Sequence, residues 1–186
     1  MTKLTKKFEQ ALVYATQLHC EQTRKVDKIP YISHLLSVSA LILEAGGTEE
    51  QAIAGLLHDA VEDQGGKATR EQIRQQFGET IVEIIDSCTE SDITPKPPWK
   101  ERKIKYIENI RNASDSVKLV SLADKLHNAR SLLIGYRNQR DKLWDYFSGT
   151  KEDKLWFYGE LLKIYKESNV SFMTLELELI LKELSF

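Results

Sequence analysis

The sequence predicts an all-α protein folded as one helical bundle, and three observations carry that prediction. Apolar residues recur at three- and four-residue steps through most of the chain. Capping signals such as Thr48-Glu49-Glu50-Gln51, and Gly or Pro breakers, separate those stretches. No Gly-rich phosphate loop, no strand–helix–strand alternation and no internal repeat interrupts them. At 186 residues the chain fits a single domain with a core that needs no staples. Its 41% hydrophobic and 29% charged content is that of an ordinary globular protein.

The elements follow in order. Phe8, Ala11, Leu12, Ala15 and Leu18 place a first helix at about Thr5–Glu21. A polar loop, Gln22 to Pro30, carries Arg24 and Lys25, which could form an anion clamp or a base-stacking pair but by themselves read first as solvated loop charge. Leu35, Val38, Leu41 and Ile42 mark a second helix, stopped by Gly46-Gly47, with His34 in its first turn. The capping box at Thr48 opens a third helix, expected to run unbroken to Gly65-Gly66. A second capping box is expected at Thr69, and Gly78 divides two short helices around Ile73–Phe77 and Ile81–Ile85. Ser91–Pro98 holds three of the four prolines and reads as a loop. Trp99–Asn112 is a basic helix, with Lys100, Arg102, Lys103 and Lys105 solvated by default and a phosphate-facing side left open. Ser114–Leu133 and two C-terminal helices, from about Thr150 and over Phe172–Phe186, complete the bundle, with a core at about 5–135 and the tail helices packed on it.

Charge and cysteines limit the function. A net charge of -2 disfavours bulk nucleic-acid binding, while leaving room for a local basic pocket. Two distant cysteines without CxxC spacing suit reduced thiols in a cytoplasmic protein. The N-terminus lacks an apolar signal-like run, and no stretch is long and apolar enough to suggest a membrane partner. Oligomeric state is not readable; a homo-oligomer is compatible with the sequence.

The chemistry concentrates in two stretches. Ala52 to Leu57 is small or apolar on every side, as in a buried helix, and then delivers His58, Asp59, Glu62 and Asp63. The pairs His58/Glu62 and Asp59/Asp63 are each four apart, so an unbroken helix would gather all four on one side. Asp124 lies among Val120, Ser121 and apolar neighbours rather than among Lys and Glu; it is a candidate ligand or a buried carboxylate bonded to a helix end. His127 falls off that line and is not expected to be a ligand. His34, His58, Asp59 and Asp124 together make a mixed N/O set from three helices, suited to Mn²⁺, Fe²⁺ or Zn²⁺, with carboxylate richness favouring Mn²⁺. Glu62 and Asp63 are left over for proton transfer or orientation, or as plain helix-end charge.

These residues carry a resemblance. His34, the His58-Asp59 doublet and Asp124 resemble the H…HD…D set of HD-superfamily phosphohydrolases. More narrowly, Leu56 to Asp63 resembles the HDxxED element of RelA/SpoT-type alarmone hydrolase domains. Arg24-Lys25, Pro30 to His34 and Leu122 to Asn128 are similar to that family's other signatures, in consistent order from about Phe8 to Leu133. Leu35 stands where that family usually has Pro. The resemblance implies an HD-domain bundle forming a small stand-alone alarmone hydrolase, with a metal, usually Mn²⁺, on His34, His58, Asp59 and Asp124. It further implies Glu62 and Asp63 as the water-activating pair, and Arg24, Lys25, Lys125 and Asn128 as substrate contacts. The implied reaction removes the 3′-pyrophosphate of (p)ppGpp. Hydrolysis of another nucleotide (an adenine alarmone, the 2′-phosphate of NADPH or a nucleoside monophosphate) and a non-catalytic nucleotide sensor are the alternatives.

Overall fold

Helix α8 (Asp115–Gln139) is the axis against which most of the other helices pack. Val117, Val120, Leu122, Ala123, Leu126, Ala129, Leu132 and Leu133 are all buried and point all round the helix rather than along one stripe. A helix that is apolar on every side belongs inside. The structure, a computed structural model, describes residues 2–91, 95, 97–168 and 171–185.

The remaining elements are α1 (Lys6–Leu18), α2 (Ile32–Glu44), α3 (Glu49–Leu57), α4 (Ala60–Asp63), α5 (Gly66–Phe77), α6 (Glu79–Cys88), α7 (Trp99–Arg111), a 3₁₀ segment (Arg140–Tyr146), α9 (Lys151–Ser168) and α10 (Phe172–Leu184). An isolated bridge between Thr23 and Pro30 is the extended pairing recorded among the described residues. The all-α prediction is met. Parts of the expected proline-rich loop (92–94 and 96), and the chain between α9 and α10 (169–170), lie outside the described residues.

The α2–α3 crossing positions the site. Gly46 ends α2 at φ +80, a left-handed conformation that costs glycine nothing, and Gly47 N–H bonds back to Ile42 O at 2.9 Å. The capping box at Thr48 forms as read, with Gln51 answering the Thr48 backbone. At Gly55 the helices nearly touch: a Cβ there would lie 2.5 Å from Ile42 Cδ1 and 3.4 Å from Ser39 Cα. Ser39 Oγ also donates to Ala52 O across this crossing, at 3.0 Å. Gly55→Val forces the helices apart and should cost about 1–3 kcal/mol of stability in urea unfolding. Unchanged stability would show that the crossing tolerates a side chain.

Three expectations need correction. The helix expected to run through His58 breaks there: α3 ends at Leu57, and Asp59 takes φ -94, ψ -4 before α4 begins. Thr69 is not an N-cap, because α5 already starts at Gly66; its Oγ1 instead donates to Gln64 O at 2.6 Å. Helix α8 continues past Leu133 to Gln139, with Gly135 seated against Leu143 of the 3₁₀ segment.

Helix α10 packs on α8 and α9 through Leu177, Ile180, Leu181 and Leu184, which explains how a Leu-Glu-Leu-Glu run forms a helix and not a strand. Two-pronged pairs from Arg130 to Glu176 and from Arg137 to Glu183 fix its register on α8. Exposed pairs of this kind add little stability beside the apolar contact.

Candidate active site

Three helical elements bring two imidazoles and two carboxylates to one point. His34, in the first turn of α2, is fully buried; His58, at the end of α3, is 3% exposed; Asp124, in mid-α8, is 7% exposed. His34 Nε2 lies 3.3 Å from His58 Nε2, 3.5 Å from Asp59 Oδ2 and 3.3 Å from Asp124 Oδ1. His58 Nε2 lies 3.1 Å from Asp59 Oδ2 and 3.5 Å from Asp124 Oδ1.

The outer ring nitrogens decide what the inner ones can do. His58 Nδ1 donates to Gly55 O at 2.8 Å, so in the neutral ring Nε2 carries a lone pair into the centre. His34 Nδ1 faces His127 Nδ1 at 2.7 Å. Burial above all pushes the His127 pKa down to about 3, so this ring stays neutral. With His127 in the tautomer that accepts at Nδ1, His34 donates outward and also aims a lone pair inward. Four groups that can each turn a lone pair inward converge, a set that a proton or a metal cation satisfies. Burial opposes charging of His58, yet Asp59 and Asp124 raise its pKa well above the imidazole range, a measure of how strongly the two carboxylates favour positive charge at this point. Burial likewise opposes ionisation of Asp59 and Asp124, but His58 holds the first, and Lys125 with the histidines the second, well below the carboxylate range. The donors of His34, His58 and Asp59 lie within 4.8 Å of one another, a set that suits a divalent metal ion.

Neighbours brace the acids. Tyr31 OH donates to Asp59 Oδ2 at 2.6 Å, and burial followed by the Asp59 charge raises the Tyr31 pKa far above its usual value. Lys125 Nζ donates to Asp124 Oδ2 at 2.7 Å and Asn128 Nδ2 to Asp124 Oδ1. The pair expected to meet a substrate thus first holds a carboxylate.

Asp59 and Asp124 line a cleft of about 580 Å³, with the buried rings of His34 and His58 against them. Glu62 and Asp63 line it although the helix breaks before them: Glu62 Oε2 accepts from Glu90 N at 3.1 Å, and Asp63 Oδ2 from Gln22 Nε2 at 2.8 Å. Arg24 crosses to Asn128 Oδ1 at 2.7 Å with its guanidinium 5.6 Å from the Tyr31 ring centroid, so it is not a solvated loop charge. Lys25 is exposed at the rim. Of the basic face of α7, Arg102 and Lys103 turn into the cleft, while Lys100 and Lys105 are exposed. Lys154 of α9 joins them, its pKa lowered to about 8 by burial and then by Lys103. The chain's net charge hid this local concentration of positive groups.

Sequence reasoning missed Tyr31, Glu90, Lys154, Phe157 and Tyr158 as cleft residues. Tyr31 had a signal, three residues before His34 and so on the same helix face. The rest arrive from α9 and the turn after α6, where no local pattern marks them. His127 faces the outer nitrogen of His34 rather than the converging groups, and so orients one of them. Cys88 also lines the cleft, with burial pushing its thiol pKa up to about 12, so it stays protonated.

Residues 11–145 match the HD domain family, and the chain is a member of it. More narrowly, it is similar to the guanosine-3′,5′-bis(diphosphate) 3′-pyrophosphohydrolase MESH1 of Xenopus tropicalis, 37% identical over 77% of this chain and 80% of that protein. The MESH1 of Drosophila melanogaster is 37% identical over 69% of this chain and 70% of its own length. In three dimensions the chain matches the structure of a metazoan ortholog of SpoT that hydrolyzes ppGpp, with a TM-score of 0.79 at 28% identity over 98% of both chains. No described helix is long and apolar enough to cross a membrane.

Proposed function

We propose that the protein is a metal-dependent pyrophosphohydrolase that removes the 3′-pyrophosphate of (p)ppGpp, giving GDP or GTP and pyrophosphate. The convergence of His34, His58, Asp59 and Asp124, with the two carboxylates on the wall of a cation-lined cleft, is the observation that carries this reading. The activity of the MESH1 relatives supplies the substrate class. His34, His58, Asp59 and Asp124 hold the ion, with Mn²⁺ the best fit to a set of two imidazoles and two carboxylates. The chemistry such an ion supplies is Lewis acidity toward water and phosphoryl oxygen.

The chain's own residues do the rest. Glu62, steadied by the Glu90 N–H, and Asp63, steadied by Gln22, orient the attacking water and take its proton. Arg24, fixed by Asn128 above Tyr31, stacks on the purine, while Lys25 and Lys125 meet neighbouring phosphates. Ligation alone would not need Glu62 and Asp63 at the cleft, which weighs against a purely sensing module.

The test is incubation of purified protein and Mn²⁺ with ppGpp, pppGpp, ppApp and NADPH, with products identified by mass. Pyrophosphate and GDP or GTP from the guanosine substrates are expected. Orthophosphate release, or turnover of NADPH or ppApp alone, would replace this substrate assignment. Arg24→Ala should raise KM about tenfold with kcat little changed, because stacking contributes to binding rather than to the reacting centre. A loss in kcat alone would remove Arg24 from the base.

A further inference from the structure

The cleft carries an anion of its own. Glu90, in the turn after α6, has a side chain only 12% exposed, with Oε2 2.9 Å from Arg102 Nη1 and Oε1 in contact with Lys103 Nζ. Both cations are similarly enclosed, at 16% and 13% exposure. Burial would raise the Glu90 pKa, but Lys103 and then Lys125 and Arg102 hold it below the usual range, so the carboxylate is charged. All three groups line the same cleft as Asp59 and Asp124. Two of the cations that an arriving polyphosphate meets are therefore already matched.

We propose that Glu90 is a resident counter-anion in this cleft, competing with bound polyphosphate for Arg102 and Lys103 and so hastening the release of pyrophosphate. The inference rests on reading the cleft as a phosphate site. It makes Glu90 a positioning residue, acting through the two cations. What decides the sign is that neither cation depends on Glu90 for its place. Arg102 Nε donates to Pro97 O at 3.0 Å. Lys103 Nζ sits 4.4 Å from the Phe157 ring centroid and 5.8 Å from that of Trp99. Burial lowers the Lys103 pKa, and Glu90 is the main group that opposes this. Neutralising Glu90 thus leaves Arg102 as the fixed unopposed charge, with an arriving polyphosphate taking over Glu90's part in holding the Lys103 proton, where water screens poorly. Charge-assisted bonds from a guanidinium and an ammonium would then retain pyrophosphate, and slow product release limits turnover in many enzymes. The Glu90 backbone N–H that steadies Glu62 is untouched by a change of side chain.

The experiment is calorimetric titration of inorganic pyrophosphate into Mn²⁺-loaded wild type, Glu90→Gln and Lys103→Met. Glu90→Gln should bind pyrophosphate about tenfold more tightly, with a steeper dependence on salt. A merely structural Glu90 would weaken binding when replaced, so equal or weaker affinity overturns the proposal. Lys103→Met keeps the carboxylate and should bind several-fold more weakly; unchanged affinity there also overturns it, and this variant decides the matter if Glu90→Gln does not fold. Because the titrant is not a nucleotide, tightening in Glu90→Gln would support the counter-anion even if the chain proved to act on a different nucleotide. Turnover of ppGpp with no tightening would remove Glu90's role and leave the reaction standing.

Discussion

Asp124→Asn should strip the protein of its metal and its activity together, with a fall in turnover of about 10³-fold or more. Asparagine keeps the volume and one carbonyl oxygen but removes the charge that faces both histidines. His34 Nε2 and His58 Nε2 lie 3.3 and 3.5 Å from Asp124 Oδ1, so a neutral group there leaves Asp59 as the one carboxylate facing them both. The fold should survive the change. Lys125, which loses its partner's charge, keeps its ammonium 4.6 Å from the Tyr106 ring centroid, and the α8 core around it is apolar. Alanine would be the harsher choice, because a buried ammonium left without any partner destabilises strongly. Metal content by emission spectroscopy and turnover, measured on protein with a native circular dichroism spectrum, check the result. Full activity in that variant would discard the four-residue site.

Glu62→Gln should separate what Asp124→Asn joins. Its carboxylate is not among the converging donors, and it accepts from the Glu90 backbone at 3.1 Å, a bond that the glutamine carbonyl can keep. Metal content should stay at the wild-type level while kcat falls about 10²–10⁴-fold, the range expected when a general base is lost. Loss of metal in this variant would make Glu62 a ligand. Unchanged kcat would hand proton transfer to Asp63 alone.

The metal-binding candidates were legible because their residue types are out of place. Ala52 to Leu57 announces a buried helix, and an imidazole and a carboxylate at its end need a reason to be there. Asp124 among Val120, Leu122 and Leu126 makes the same case on α8. Local pattern could not show the break at His58-Asp59, since both residues stay near right-handed helical angles and no Gly or Pro marks the place. It also could not show that α8 is buried on every side, because that depends on how many neighbours surround it. The 3₁₀ segment Arg140–Tyr146 has no apolar period to read. The cation wall was least legible of all. Arg102, Lys103 and Lys154 look like ordinary surface charge until α7 and α9 pack together and turn them inward. Residues whose job depends on one helix can be read from spacing; those whose job depends on two need the fold.

The most direct measurement is anomalous diffraction at the manganese edge from crystals grown with Mn²⁺. One strong peak is expected at bonding distance from His34 Nε2, His58 Nε2 and oxygens of Asp59 and Asp124. A peak elsewhere, or one that leaves out His34 or Asp124, would contradict it.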